Sequence, residues 1–368
     1  MRIVIAPNAF KGSLAAQNVA DAIQEGILKA HPTFQTVCLP VGDGGDGTGA
    51  LIRKYLNAVF VPQIVSDPLL RPVEAGFGLL ENIAIIEMAD ACGIRLLPAV
   101  EYKPLVAQTK GVGELIKAAL ARGAKKILLG IGGSATVDGG CGMLRELGLR
   151  FFDKYHTEIT EFPLGLAALH QIDLSGFDAG LRETEIVVLC DVDNKLLGSQ
   201  GAAAVFAPQK GASDADVKFL EKALARLDEV VFETTSVKMS ALVHSGAAGG
   251  VGAALAAFCN ASLVNGIEYL IQLIDFEYYV KNADLVITGE GSIDSQTLLG
   301  KAPFGVAAVA KKFGLPVLAL GGRVNREPDQ HWAHVFDKVV CITPPDTPLH
   351  SAIQNTRENL VNAASKLL

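Results

Sequence analysis

Short apolar runs alternate with amphipathic stretches along almost the whole chain. Residues 3–6 (I-V-I-A) have the pattern of a buried strand. Helical spacing follows at Leu14, Val19, Ile23 and Ile27, with Ser13 placed to cap this helix and Pro32 beyond its end. Residues 37–41 predict a second strand, and Leu51, Ile52, Tyr55 and Leu56 a second helix. The period then changes to two. Val73, Ala75, Phe77 and Leu79 alternate, Glu81-Asn82 marks a turn and 83–86 returns, which predicts an antiparallel hairpin. A helix over 113–122, strands over 126–131 and 185–190, and a helix capped by Ser213 come next. The simple rhythm resumes with strand 284–288, helix 303–313, strands 316–320 and 338–343, and a last helix opened by Pro348. Strand–helix units of this kind predict an α/β fold with parallel strands. The simple units lie at both ends of the chain and the mixed ones between them. The pattern therefore predicts a Rossmann-like parallel-sheet domain built from 1–62 and 282–368, with a mixed α/β domain, 63–281, inserted into it.

Composition narrows the function. The 368 residues carry 32 Lys and Arg against 39 Asp and Glu, a net charge of −7. Nucleic acid and anionic membrane both demand a basic face, so neither is expected as a partner. Half the residues are hydrophobic and 19% are charged, the balance of a folded chain. The longest uncharged stretch, 239–267, is Gly/Ala-rich and interrupted by His244, Ser245, Asn260 and Asn265. It predicts a buried helix rather than a membrane span. The first residues lack the long apolar run of a signal peptide. Six cysteines without a C-x-x-C pair read as buried thiols in a reducing cytosol, so a cytoplasmic location is expected. His331 and His334 could share a helix face, but without a third ligand they make no zinc site. Glycine stands out at 38 residues, near a tenth of the chain against about 7% in average proteins.

Those glycines cluster where chemistry belongs. In parallel α/β sheets, ligands sit beyond the carboxyl ends of the strands. After the predicted strands come N-A-F-K-G-S (8–13), G-D-G-G-D-G-T (42–48), G-G-S-A-T-V-D-G-G (132–140), D-V-D-N (191–194) and G-E-G-S-I-D (289–294), the last followed by Gly300-Lys301. Glycine lets backbone N–H groups approach a phosphate, carboxylates hold Mg²⁺ or accept a proton, and lysine neutralises transferring charge. Ordinary Gly-Asp turns explain any one such loop, but five at strand ends point to a phosphate-handling site.

Sharper motifs compete. No G-x-x-x-x-G-K-[ST] is present, because Gly300-Lys301 is followed by Ala302, and this excludes a Walker-type kinase. Residues 130–135 (G-I-G-G-S-A) fit the dinucleotide fingerprint, with Asp153 downstream. An NAD-dependent oxidoreductase is therefore an alternative, although Thr136 to Gly140 make a poor helix start. The D-x-D at 191–193 resembles an aspartyl-phosphate motif but has Lys195 where Thr or Val is wanted. A non-enzymatic ligand-binding protein using the same loops is the remaining class.

Taken in order and spacing, a set of segments resembles the glycerate kinase type 1 family over essentially the whole chain. They are I-V-I-A-P-N-A-F-K-G-S-L (3–14), P-V-G-D-G-G-D-G-T (40–48), D-P-L-L-R-P-V (67–73), I-E-M-A-D-A-C-G (86–93), G-I-G-G-S-A-T-V-D-G-G-C-G-M (130–143), C-D-V-D-N (190–194), V-F-A-P-Q-K-G-A (205–212) and T-G-E-G-S-I-D-S-Q-T-L-L-G-K-A-P (288–303). The chain departs from that pattern at Asn8-Ala9, Asp46, Cys92, Val137 and Lys195, where the family commonly has Asp-Ser, Glu, Ser, Asn and Pro. The resemblance implies ATP- and Mg²⁺-dependent phosphorylation of glycerate, with 2-phosphoglycerate favoured, in a cleft between two domains.

Little covalent help is needed for such a transfer, so positioning and charge neutralisation carry it. Asp191 is the expected general base, with Asp193 beside it as a metal or substrate ligand. Glu290, Asp294 and Asp43 are the candidate Mg²⁺ ligands. Lys11, as a catalytic cation, and Lys301 are expected on phosphate oxygens. Gly132, Gly133 and Ser134 would contact phosphate or the glycerate carboxylate through backbone amides. Arg71 and Lys210 are the candidate cations for that carboxylate, although Arg71 could instead pin the turn between Pro68 and Pro72.

Overall fold

The computed structural model describes residues 1–294, 297, 301–325 and 334–368. Gly300 and His331 lie outside the described residues. Thirteen strands occur among them: β1 (Arg2–Ile5), β2 (Gln35–Cys38), β3 (Val59–Ser66), β4 (Pro72–Leu80), β5 (Ile83–Glu87), β6 (Lys126–Gly130), β7 (Arg150–Asp153), β8 (Leu169–Asp173), β9 (Glu185–Cys190), β10 (Ser262–Asn265), β11 (Leu285–Ile293), β12 (Val317–Val324) and β13 (Lys338–Cys341). The chain forms two compact units, one from 1–43 and 265–368, the other from 44–264.

The first unit is a five-stranded sheet in the order β13-β12-β11-β1-β2, parallel throughout. Its central strands carry apolar side chains on both faces, as parallel sheets covered by helices require. Ile3, Ile5, Leu285 and Ile287 pack with Val19, Ile23 and Ile27 of the helix Ala16–Ala30 and with Leu360 and Val361 of the helix Thr356–Ala364. Full burial of such a side chain is worth roughly 1.5–3 kcal/mol.

Two expectations change here. Ser13 does not cap the first helix. Phe10 and Leu14 pair across a tight turn, and the Ser13 hydroxyl donates to the Ile353 carbonyl at 2.8 Å. The helix therefore starts at Ala16, with Ala15 extended and no side-chain cap. The strand expected to end at Thr288 continues to Ile293, because 289–293 keep pairing with β12. Glycine is needed there: a Cβ on Gly289 would lie 2.3 Å from the Leu320 carbonyl oxygen.

The second unit holds a six-stranded sheet, β10-β9-β6-β5-β4-β3, and a separate antiparallel pair, β7-β8. Strands β5, β6 and β9 are parallel, whereas β3-β4-β5 form an antiparallel meander that includes the expected hairpin. Phe77, Ala84, Ile86, Ile127, Leu129, Ile186 and Val188 join one core with Val112 and Ile116 of the helix Lys110–Ala121. The helix Asp214–Thr235 begins with the expected cap: Ser213 and Asp216 bond each other's backbone N–H. Residues 239–267 do not form one helix. Ala248, Gly249 and Gly250 have φ of +51°, +67° and +101°, which interrupts any helix before Val251–Cys259. Asn260 turns again at φ +53°, and β10 and a helix, Gly266–Leu273, follow. The parallel sheet from both chain ends and the mixed α/β body between them agree with the fold class expected from the sequence.

Candidate active site

In the first unit the loops after β1 and β2 meet the extended end of β11. The Asn8 amide nitrogen donates to Asp43 Oδ2 at 3.1 Å, and the Asn8 backbone N–H to the Gly289 carbonyl at 2.9 Å. Asp43 and Glu290 are both buried. Glu290 Oε1 accepts from Thr297 Oγ1 at 2.6 Å. Burial pushes the Glu290 carboxyl up to about 7. The Thr297 hydrogen bond and the Lys301 charge oppose the shift, and the Asp43 and Asp294 charges add to it. Asp294 is half-buried, with its backbone N–H donating to Thr297 Oγ1 at 3.2 Å. Lys301 stands at the N-cap position of the helix Ala302–Lys312 without capping it through its side chain. Lys11, exposed, and Lys301 line one cavity of about 690 Å³ with Glu290 and Gly291. The structure thus places Asp43, Glu290, Asp294 and Lys301 in one electrostatic group. No cluster of three or more His, Cys, Asp or Glu side chains shaped for a metal occurs among the described residues.

In the second unit the segment after β6 turns back at once. The Gly132 N–H donates to the Gly44 carbonyl at 2.9 Å, so this amide is committed to the loop. A Cβ on Gly132 would sit 2.4 Å from Gly45 Cα and 3.0 Å from Asp191 Oδ2, so no other residue fits there. Gly133 is exposed, and its carbonyl accepts from the Ile94 N–H. Lys210 is buried, and its ammonium donates to Ser134 Oγ at 2.8 Å and to the Thr136 carbonyl at 2.7 Å. Burial lowers its pKa to about 7 even though the Asp138 and Asp191 charges favour the protonated form. Gly132, Ser134, Asp191 and Lys210 therefore form one group.

The two acids of the D-x-D diverge. Asp191 is half-buried, whereas the Asp193 side chain is 67% exposed and pairs with His244 at 3.0 Å. Arg71 lies at its own turn, with Nε 2.7 Å from Asp67 and Nη1 2.7 Å from Glu101. Asp138, which the sequence offered only as part of a glycine loop, accepts four hydrogen bonds: from the Thr109 N–H and hydroxyl and from the N–H groups of Gly140 and Gly142. It organises the loop that leads to the helix Cys141–Glu146. That helix begins eleven residues after β6 ends, so it does not open directly from 130–135 as a dinucleotide fingerprint requires.

Sequence reasoning did not single out Glu87 or Thr297. Glu87 is buried beneath the start of the helix Thr48–Leu56, where it accepts from the N–H groups of Gly47 and Ala50. Burial raises its pKa to about 7, the Gly47 bond opposes this, and Asp90 and Asp46 add to it. Its place in I-E-M-A-D-A-C-G was the only available signal.

Full-length comparisons identify the class of protein. Residues 3–368 match the glycerate kinase family. The chain is 41% identical to Glycerate kinase of Bacillus subtilis, over 99% of this chain and 96% of that one. It is also 41% identical to Glycerate 2-kinase of Escherichia coli, over 100% and 97%. A crystal structure from Salmonella typhimurium LT2, of a protein provisionally called glycerate kinase 2, superposes with a TM-score of 0.83 at 41% identity, covering 100% of this chain and 97% of that one. The chain belongs to the glycerate kinase family and is an enzyme. No helix among the described residues is long and apolar enough to cross a membrane.

Proposed function

We propose that the protein transfers the γ-phosphoryl group of ATP to the 2-hydroxyl of glycerate, giving 2-phosphoglycerate. Family membership supports the reaction class, and the Escherichia coli relative named Glycerate 2-kinase supports the position. The observation that carries the reading is the Gly132–Ser134–Asp191–Lys210 group. It gathers Gly132 and Ser134, just past β6, and the Asp191 carboxylate, just past the adjacent parallel strand β9, around the buried Lys210 side chain.

Lys210 donates two of its three N–H groups to Ser134 and Thr136, and the third serves the glycerate carboxylate. An anionic substrate raises the Lys210 pKa and selects its charged form, so binding and protonation are coupled. Asp191 accepts the proton of the 2-hydroxyl as that oxygen attacks the γ-phosphorus in line. Lys11 and Lys301 balance the charge of the phosphate oxygens. Asp43, Glu290 and Asp294 do not form a three-carboxylate cage, and Mg²⁺ would be held by one or two of these hard oxygen donors together with the phosphates of its nucleotide. Burial and like-charged neighbours already strain Glu290 toward holding a proton, and a cation would relieve that strain. When bound, Mg²⁺ supplies charge neutralisation on the phosphates. Arg71, paired with Asp67 in its own turn, supports that turn, and Asp193, paired with His244, ties the loop after β9 to a distant segment.

The test is ADP release with D-glycerate and Mg²⁺-ATP, together with product NMR, for the wild type and Asp191→Asn. The expected result is 2-phosphoglycerate from the wild type and a turnover reduced by roughly 10²–10⁴ in the variant. No ADP above background from the wild type overturns the reaction. A loss below about tenfold removes Asp191 as the base.

A further inference from the structure

The cavity of the first unit extends well past the groups that the phosphoryl transfer uses. It spans the carboxyl ends of four neighbouring strands: Lys11 follows β1, Glu290 and Gly291 lie in β11, Gly322 and Arg323 in β12, and Cys341, Pro344 and Pro345 lie at the end of β13 or beyond it. From β1 to β13 is three strand spacings, roughly 14 Å at about 4.8 Å each. Its lining changes character across that distance. The β1 and β11 side carries Lys11, Glu290 and Lys301, whereas the side after β13 is uncharged, with Pro344, Pro345, and Leu349 and Ile353 of the helix Leu349–Gln354 interspersed with threonines.

Leu349 is 75% exposed and Ile353 37% exposed. They stand four residues apart on one short helix, so they share a face, and both line the cavity. Apolar side chains left in water over a cavity that also holds cations fit a ligand that is flat and apolar at one end and polyanionic at the other. The cavity volume, about 690 Å³, lies within the usual range for small-molecule sites, roughly 300–1,000 Å³.

We propose that this cavity is the nucleotide subsite, with the purine base held by Pro344, Pro345, Leu349 and Ile353 and the phosphates directed toward Lys11 and Lys301. This rests on the ATP-dependent reading above and deepens it by assigning the base end to the segment after β13. The base is then gripped by apolar contact and the phosphates by charge. The Leu349 face therefore governs nucleotide affinity and leaves acceptor affinity alone.

The experiment uses the full-length chain. Affinity for the β,γ-imido analogue of ATP is measured by calorimetry for the wild type, Leu349→Asp and Ile353→Asp, and the Michaelis constants for ATP and glycerate are measured alongside. A carboxylate placed among the base contacts should weaken analogue binding about tenfold or more and raise the ATP constant equally, with the glycerate constant unchanged within twofold. Because Leu349 is largely exposed and opens its helix, an acid there is compatible with folding. Photolabelling of the wild type with 8-azido-ATP should mark residues 341–356. Analogue affinity unchanged within twofold in both variants, or a label placed only in residues 44–264, overturns the assignment. A wild type that binds the analogue, loses that binding in the variants and yet releases no ADP with glycerate upholds this subsite and sinks the kinase reading instead.

Discussion

Two buried groups, one in each unit, reach a pKa of about 7 from opposite sides. Glu290 rises from 4.5 and Lys210 falls from 10.5, and desolvation is the largest cause for both. Their surroundings differ. Glu290 sits among further acids, Asp43 and Asp294, and the Lys301 charge only partly offsets them. Lys210 is fixed by a hydroxyl and a carbonyl, with Asp138 and Asp191 nearby, and burial still overrides both acids. The first arrangement favours a cation or a proton, and the second can be charged by an arriving anion.

The sharpest way to break this contrast is Lys210→Met. It removes the ammonium and leaves the Ser134 and Thr136 oxygens without their donor. Losing one partner of a buried charged contact costs roughly 2–5 kcal/mol, so kcat/KM for glycerate should fall at least about thirtyfold. Affinity for the nucleotide should stay within twofold. A fall of less than tenfold removes Lys210 from acceptor binding.

Glu290→Gln should have a smaller kinetic effect, a rise of about tenfold in the KM for Mg²⁺-ATP, and a distinctive pH signature. The folded chain holds the Glu290 proton more tightly than the unfolded one. This contribution to stability is complete below about pH 4.5 and is lost as pH rises through 7, on the order of 3 kcal/mol in all. Lys210 acts in the other window. Folding favours its neutral form, so stability rises from about pH 7 toward 10.5. Denaturation midpoints measured at pH 5, 7 and 9 should show the acid-side decline shallower in Glu290→Gln, with Glu87 supplying the remainder, and the alkaline rise lost in Lys210→Met. Identical profiles for wild type and variants would show that neither group is buried as described.

The smallest effect belongs to Ser213→Ala, which removes one cap from the helix Asp214–Thr235. It should lower stability by about 1 kcal/mol and leave both Michaelis constants unchanged. A kinetic change would mean that this helix reaches the chemistry.

Much of this fold is legible in local sequence because its signals are local. The buried I-V-I-A strand, the alternation at Val73–Leu79 and the Ser213 cap each need only a few neighbouring residues. Ser13 misled because Phe10 pairs with Leu14 before the helix can begin. The run 239–267 misled because small apolar residues do not reveal the sign of φ. Gly289 and Gly291 looked like a loop, yet they lie in a strand whose partner, β12, is distant in sequence. The same limit governs the site. Asp191, Lys210 and Glu290 could be nominated from residue type and strand position. Their pKa values, the scaffolding role of Asp138 and the pairing of Asp193 with His244 depend on burial and on contacts between distant segments.

The place of β1 in its sheet also bears on how the chain is made. Ile3 pairs with Thr36 on one side and with Leu285 on the other. A ribosome adding roughly 5–20 residues per second needs about a quarter of a minute to a minute to travel from one partner to the next. Throughout that interval β1 has finished synthesis but has an open edge, while the 221 residues of 44–264, the second compact unit, emerge. The nascent enzyme therefore carries a sticky strand for most of its synthesis, and delay at the distal end of the message would lengthen its exposure to wrong partners.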